Sequence, residues 1–324
     1  MIIREWIISK WHITVLIIAL ALLVVGIILV YRPAEKTAEW HAQQGYEFTD
    51  QGRYDEAIEE YTESIRLKPD YAEAYSNRGT VYAVLGQLER AIEDYDQAIH
   101  LNPDMSTAFV NRGQAYLNIG QYDLAITDSS EAIQLDPNLA IAYSGRAYAY
   151  NEKGLYDLAI ADSNKAIDLD PNMAIAYSGR AYAYRKKEQY DLAIADYTKA
   201  IEHDLNLATA YFNRGAIYLD SGEYQLAIED YGEATRLNPQ YAEAYNNRGI
   251  SYFNLSQYDL AVADFSKALE LDPIMDVPYF YRGLTYGEQG RNSEAIADFG
   301  KFISLTDNPQ WIQLARNEIE ELTQ

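Results

Sequence analysis

A spacing of 34 residues recurs along most of this chain, and it constrains the fold more than any other feature of the sequence. One position is alanine in eight successive units: Ala57, Ala91, Ala125, Ala159, Ala193, Ala227, Ala261 and Ala295. Another is aromatic in all eight: Phe48, Tyr82, Tyr116, Tyr150, Tyr184, Tyr218, Tyr252 and Tyr286. Self-similarity at a fixed period predicts units that stack on their neighbours to bury one continuous core.

Each unit carries two stretches in which apolar and small residues recur at three- and four-residue steps, the spacing of a helix. A glycine usually separates the two stretches and a proline usually follows the second, and both residues end helices. Glu188 and Ser256 replace the glycine in two units. We therefore predict an all-α fold with helix-turn-helix units at 38–71, 72–105, 106–139, 140–173, 174–207, 208–241, 242–275 and 276–309.

Small and large side chains alternate between the predicted helices, as close packing requires. One first-helix position is only glycine or alanine: Gly45, Gly79, Gly113, Ala147, Ala181, Gly215, Gly249 and Gly283. The second helix carries an aromatic residue, such as Tyr95, except where Ser129 and Ser163 replace it. We expect looser packing in the third and fourth units.

The repeat resembles the tetratricopeptide repeat (TPR) family over residues 38–309. The resemblance implies a right-handed superhelix, or α-solenoid, of helical hairpins whose first helices line a concave groove. Residues 310–324 place Trp311, Ala315, Ile319 and Leu322 on one helical face. That segment is predicted to be a helix that caps the last repeat, as stacked arrays require.

Residues 13–31 contain no charged side chain and would form a helix as long as a bilayer core is thick. They predict a transmembrane helix after a short tail, 1–12, and before a linker, 32–37. A cleaved signal peptide is the alternative, but cleavage after Ala21 would leave an apolar terminus. The sequence thus indicates an uncleaved single-pass anchor with the N-terminus in the cytoplasm and the repeat domain outside it.

The net charge of −23 argues against a nucleic-acid partner, because that affinity rests on basic side chains neutralising phosphates. The chain has no cysteine, and its four histidines show no metal-ligand spacing, so neither a metal nor a cofactor is expected. No nucleophile motif is present either, and the chain is not expected to be an enzyme.

Two charged positions also follow the repeat. Arginine recurs in seven units (Arg78, Arg112, Arg146, Arg180, Arg214, Arg248, Arg282), and an acid in all eight (Glu60, Asp94, Asp128, Asp162, Asp196, Asp230, Asp264, Asp298). Recurrence at the repeat period is typical of a structural device. We predict a ladder of arginine–carboxylate pairs between paired helices.

An asparagine recurs at one groove position: Asn77, Asn111, Asn213 and Asn247. An amide both donates and accepts, so such a row can pair with the backbone of an extended peptide. This position resembles the asparagine ladder of the O-linked N-acetylglucosamine transferase superhelix. The row is broken at Gln43, Gly145, Gly179 and Tyr281, and the alternative is that asparagine merely suits this helix face.

Units four and five share the segment AIAYSGRAYAY, which places small residues beside Tyr148 and Tyr182. The adjacent Arg185 and Lys186 could hold a carboxylate of a partner, the alternative being a solvated helix end. Phe212 and Phe253 complete the candidate groove residues. The Lys and Asn positions of a chaperone-type carboxylate clamp are occupied by other residues, so that clamp is not expected.

The sequence favours a membrane-anchored scaffold that binds a partner peptide or protein in the groove. The alternative is a receptor for a cell-wall or glycan fragment, stacked on Tyr148, Tyr182 and Phe212.

Overall fold

The computed structural model of this protein describes residues 36–323, which divide into two compact units, one ending at Pro103 and the other beginning at Asp104. Residues 36–323 contain seventeen helices and no strand. The predicted all-α class is confirmed. The handedness of the superhelix and the boundaries of the repeats stay predictions.

The first unit contains four helices. They are α1 (Ala38–Asp50), α2 (Tyr54–Leu67), α3 (Ala72–Val84) and α4 (Leu88–Leu101). α1 packs against α2 and α3 against α4, while α2 also contacts α3. The core includes Ala57, Tyr61 and Val81, each at most 1% exposed.

The second unit contains thirteen helices, again in hairpins that pack on their neighbours. They are α5 (Ser106–Asn118), α6 (Tyr122–Leu135), α7 (Ala140–Glu152), α8 (Tyr156–Leu169), α9 (Ala174–Lys186), α10 (Tyr190–His203), α11 (Ala208–Asp220), α12 (Tyr224–Leu237), α13 (Ala242–Asn254), α14 (Tyr258–Leu271), α15 (Val277–Glu288), α16 (Asn292–Leu305) and α17 (Pro309–Leu322).

In five of the hairpins a glycine of the first helix packs closely against an aromatic ring of the second helix. A Cβ placed on Gly249 would lie 2.8 Å from Cε1 of Phe265, and one on Gly45 would lie 2.8 Å from Cε1 of Tyr61. Only a residue without a side chain allows the ring this close to the first helix. The alanine that recurs in all eight units is 0% exposed in each, as at Ala57 and Ala295.

The turn between paired helices requires a left-handed residue. Glycine supplies it at Gly86, for example, where φ is +73°. Glu188 and Ser256 replace glycine at this position and still adopt φ of +58°. The repeat geometry therefore imposes on these two residues a conformation that costs a side-chain-bearing residue about 1 kcal/mol.

The predicted arginine–carboxylate pairs are confirmed in all seven hairpins that have the arginine. In each, the guanidinium donates to the aspartate sixteen residues later, as Arg146 does to Asp162 at 2.7 Å. Arg146 Nη1 also donates to Ser130 Oγ of the preceding hairpin, at 3.0 Å. In the first hairpin, which lacks the arginine, His41 Nδ1 lies 2.5 Å from Glu60 Oε2.

The last helix, α17, covers the end of the final hairpin. Its Ala315 is fully buried, and Trp311, Ile319 and Leu322 pack with it against Phe280 and Phe302. The Trp311 and Phe280 rings meet edge to face with centroids 4.9 Å apart. The helix thus shields from water the apolar side chains at the end of the last hairpin.

The localisation predicted from residues 13–31 requires correction. Within residues 36–323 no helix combines the length and the apolar character needed to cross a bilayer, so a single-pass membrane protein is not supported. The segments 1–12 and 13–31, and residues 32–35 of the linker 32–37, lie outside the described residues.

Candidate functional site

A pocket of about 900 Å³ opens in the second unit between the first helices of four successive hairpins, α5, α7, α9 and α11. We call it the central pocket. Its lining consists of Gln114, Leu117, Asn118, Gly120, Tyr122, Ile141, Ser144, Gly145, Tyr148, Asn151, Glu152, Ser163, Ile175, Ser178, Gly179, Tyr182, Leu207, Thr209 and Asn213. Its volume lies in the range of pockets that enclose small ligands or peptide side chains.

The central pocket lies where two repeat positions both carry smaller residues than in the other hairpins. The groove position that is asparagine at Asn213 and Asn247 is glycine at Gly145 and Gly179. In the hairpin that precedes each of these glycines, the buried aromatic residue of the second helix is replaced by serine, at Ser129 and Ser163.

The truncated positions meet in space. A Cβ placed on Gly145 would be 3.7 Å from Ser129 Oγ, and one on Gly179 would be 3.8 Å from Ser163 Oγ. At the same repeat position in later hairpins, Asn247 Nδ2 lies 3.4 Å from the Tyr231 hydroxyl, and Tyr281 stacks on Phe265 with ring centroids 6.1 Å apart. The looser packing expected in these two hairpins therefore becomes a surface pocket rather than a closed void.

The pocket floor contains two polar side chains without complete hydrogen bonding. Asn151 is 4% exposed, and its Nδ2 donates to the Gly179 carbonyl at 2.8 Å, while its Oδ1 has no partner. Ser163 is fully buried and its Oγ also has no partner. Buried polar atoms are rarely left unpaired in native proteins, so these two are candidates to bind a ligand.

Tyrosine rings form the walls of the central pocket. Tyr148 is 50% exposed and Tyr182 is half-buried. Tyr122 donates from its hydroxyl to Glu152 Oε2 over 3.4 Å. The pKa values of Tyr148 and Tyr182 are both raised above the ordinary value of a tyrosine. The larger cause is partial burial, and the next is the negative charge of Glu152. The carboxylate thus acts on both rings, and the tyrosines stay neutral donors at physiological pH.

Three of the predicted groove residues lie in this pocket: Tyr148, Tyr182 and Asn213. Arg185 and Lys186 are adjacent but not part of the lining. Arg185 Cζ lies 5.7 Å and Lys186 Nζ 5.4 Å from the centroid of the Tyr182 ring. Both cations therefore lie close to a ring of their own protein.

The asparagine positions do not present a uniform row of amides. Asn77 belongs to the first unit and is exposed, whereas Asn111, Asn213 and Asn247 belong to the second unit and are half-buried. Asn213 Nδ2 donates to the Thr209 carbonyl of its own helix at 2.8 Å, and Asn247 Nδ2 lies 3.4 Å from the Tyr231 hydroxyl. The amides of Asn213 and Asn247 are thus already engaged within the protein.

The two predicted phenylalanines contact other rings. Phe212 stacks on Tyr241 with centroids 4.7 Å apart. Phe253 lies 6.0 Å from both Tyr258 and Tyr281. Their faces are therefore partly used for packing between hairpins.

Sequence reasoning missed Tyr122, Asn151 and Glu152 as pocket residues. Asn151 occupies a position that varies freely from unit to unit, from Thr49 to Phe253, so repetition gives no signal for it. The loss of the aromatic at Ser163 and of the asparagine at Gly179 was visible, but their proximity depends on the stacking of neighbouring hairpins. In the described part of the chain no three His, Asp or Glu side chains are placed to hold a metal ion.

Family comparisons agree with this architecture. Models described as "TPR repeat" match residues 45–86, 113–154, 181–222 and 215–256. Others described as "Tetratricopeptide repeat" match 72–105, 242–274 and 140–173. The chain belongs to the tetratricopeptide repeat family, whose fold is typically a non-enzymatic scaffold for protein–protein interaction. No curated protein matches the chain.

Solved structures with similarity to this chain include three proteins. The APC/C hetero-tetramer Cut9-Hcn1 superposes with a TM-score of 0.64 at 16% identity over 92% of this chain, which spans 58% of the length of that chain. MamA from Desulfovibrio magneticus RS-1 has a TM-score of 0.48 at 25% identity, and the match covers 54% of this chain and 98% of the MamA chain. YrrB, described as a TPR protein with an unusual peptide-binding site, has a TM-score of 0.46 at 23% identity, and the match covers 58% of this chain and 96% of the YrrB chain.

Proposed function

We propose that this chain is an interaction scaffold whose second unit binds a segment of a partner protein in the central pocket. The pocket carries the proposal, because it arises where the repeat pattern is broken at two positions at once. At the same repeat position in two later hairpins, side chains of this protein occupy the corresponding space, since Asn247 contacts the Tyr231 hydroxyl and Tyr281 stacks on Phe265. A pocket formed in this way is preorganised, since its walls belong to packed helices and need not be ordered on binding.

The lining suits a peptide segment. Ile141 and Ile175 are 41% and 49% exposed and offer apolar contact, while Ser144 and Ser178 offer hydroxyl groups. Glycine at Gly145 and Gly179 lets another backbone approach closely. Apolar walls with a few placed polar groups are typical of ligand sites.

A glycan receptor is not favoured. Stacked sugars need a continuous row of free aromatic faces, and the predicted row included Phe212. The Phe212 ring stacks on Tyr241 within the protein and is absent from the pocket lining.

Filling the pocket tests the proposal. The double variant Gly145→Asn/Gly179→Asn restores the residue that this groove position carries at Asn213 and Asn247, so the fold is expected to accept it. Gly300→Asn is the matched control, because Gly300 is an exposed helical glycine with no atom within 4 Å of an added Cβ.

We expect the wild type and the Gly300→Asn variant to retain the same partner proteins in quantitative affinity purification, and the filled variant to lose a defined subset. Circular dichroism melting establishes that all three are folded. If the folded, filled variant recovers every partner in wild-type amounts, the central pocket is not the binding site.

A further inference from the structure

We propose that the central pocket recognises an arginine side chain of the bound segment, held between the Tyr148 and Tyr182 walls and paired with Glu152. This inference rests on the proposed function and adds the chemistry of the residue that enters the pocket. Three independent properties of the lining carry it: its charge, its unpaired acceptor and its exposed rings.

Charge is the first property. Among the residues that line the pocket, Glu152 alone carries a charge, and none is lysine or arginine. Glu152 is exposed, and its hydroxyl contact from Tyr122 is long, at 3.4 Å. The carboxylate can therefore accept further hydrogen bonds from a cation. The net charge of −23 adds a long-range attraction for a basic segment.

The unpaired acceptor is the second property. The Asn151 amide donates one N–H to the Gly179 carbonyl and leaves Oδ1 without a partner, and Ser163 Oγ also has none. Both oxygens can accept a hydrogen bond from a bound donor. A guanidinium has five N–H donors and no acceptor, which matches a lining whose unpaired amide oxygen and only carboxylate come from the neighbouring residues Asn151 and Glu152.

The exposed rings are the third property. Arginine stacks on aromatic faces more often than lysine does, because its planar cation is weakly hydrated. This protein uses the same contact internally. Arg90 Cζ lies 3.9 Å from the Tyr82 ring centroid, and Arg291 Cζ lies 4.1 Å from that of Tyr286. In the central pocket the Tyr148 ring is 50% exposed and is open to such a contact.

An acidic side chain fits the lining less well. It would meet the Glu152 carboxylate, and the nearby cations Arg185 and Lys186 lie beside Tyr182 outside the lining. An aromatic side chain would fill the pocket volume but would leave the Glu152 carboxylate without a counter-charge. These two residue types are the alternatives that the experiment compares.

The probe is a set of fluorescein-labelled Gly/Ser peptides that differ only in one central residue: arginine, citrulline, glutamate or phenylalanine. Citrulline has the shape of arginine without its charge. Binding to the full chain is measured by fluorescence anisotropy. We expect the arginine peptide to bind about tenfold more tightly than the citrulline peptide, a difference of about 1.4 kcal/mol.

The matched variants are Glu152→Gln and Glu288→Gln. Glu288 occupies the same repeat position and accepts from the Tyr258 hydroxyl at the same 3.4 Å, but it lies outside the pocket. Glu152→Gln should abolish the preference for arginine over citrulline, and Glu288→Gln should keep it.

Equal binding of arginine and citrulline, tighter binding of the glutamate or phenylalanine peptide, or no binding of any peptide would overturn the inference. So would an arginine preference that survives Glu152→Gln. None of these results decides the proposed function, which depends on the partners lost from the Gly145→Asn/Gly179→Asn variant. If that variant keeps all its partners, the scaffold proposal fails whatever the peptides show.

Discussion

Arg248 donates from Nε and Nη2 to the two carboxylate oxygens of Asp264, at 2.7 and 2.8 Å. The bond joins the two helices of one hairpin, and Arg248 Nη1 also donates to Thr235 Oγ1 of the preceding hairpin at 3.0 Å. The arginine side chain is 19% exposed and the aspartate 10%. Arg248 thus connects three helices in a setting that is largely shielded from water.

Replacing Arg248 by methionine should lower the free energy of unfolding by about 3 kcal/mol, because Asp264 would remain buried without its counter-ion. The melting temperature measured by circular dichroism reports the change. Lys267→Met is the control, since Lys267 and Glu270 form an exposed pair worth at most about 1 kcal/mol. Equal losses in the two variants would show that burial does not strengthen the arginine pair.

Gly249→Ala should destabilise the protein by about 1 to 3 kcal/mol, because the new Cβ would lie 2.8 Å from the Phe265 ring. Gly145→Ala is the matched change in another first helix, where the nearest atom would lie 3.7 Å away. There, alanine should be neutral or stabilise by up to about 1 kcal/mol through its better helix propensity. Urea denaturation of both variants checks the prediction, and a stable Gly249→Ala variant contradicts it.

The repeat pattern predicted most of the fold, because its strongest signals describe contacts within one hairpin. The glycine opposite a ring, as at Gly249 and Phe265, and the arginine–aspartate pairs recur at fixed spacing and are legible in the sequence. Nothing repeats at Asn151, so its unpaired Oδ1 could not be foreseen. That atom depends on how one hairpin rests on the next.

The groove candidates show the same limit. Tyr148 and Tyr182 could be identified because they belong to a duplicated segment, and the structure places both in the pocket. Sequence position alone could not show that Asn213 donates to its own helix or that Phe212 stacks on Tyr241. Such local partners depend on side-chain direction, which repeat spacing does not encode.

Alkaline pH should weaken the fold. Burial raises the pKa of the Tyr241 phenol to about 12, and it also raises the pKa of Tyr61, Tyr95, Tyr197 and Tyr231. Because the phenol pKa in the folded chain lies above the unfolded value near 10, the buried neutral phenols contribute their full stability below pH 10. That stability is lost as the pH rises through the folded-state pKa.

The urea concentration at the unfolding midpoint should therefore decrease as the pH rises from 10 to 12. The buried tyrosines should ionise only as the chain unfolds, which absorbance near 295 nm follows. Tyr241→Phe should reduce the slope of the midpoint against pH. An unchanged slope would show that Tyr241 ionises as readily in the folded chain as in the unfolded one.

Photo-crosslinking tests the role of the central pocket most directly. A benzoylphenylalanine at Ile175, which lines the pocket, is compared with one at Leu192, since both native side chains are 49% exposed and Leu192 lies outside the lining. We predict a partner adduct from position 175 that disappears in the Gly145→Asn/Gly179→Asn background, and none from position 192. An adduct from position 175 that persists in the filled background, or an equal adduct from position 192, would contradict binding in this pocket.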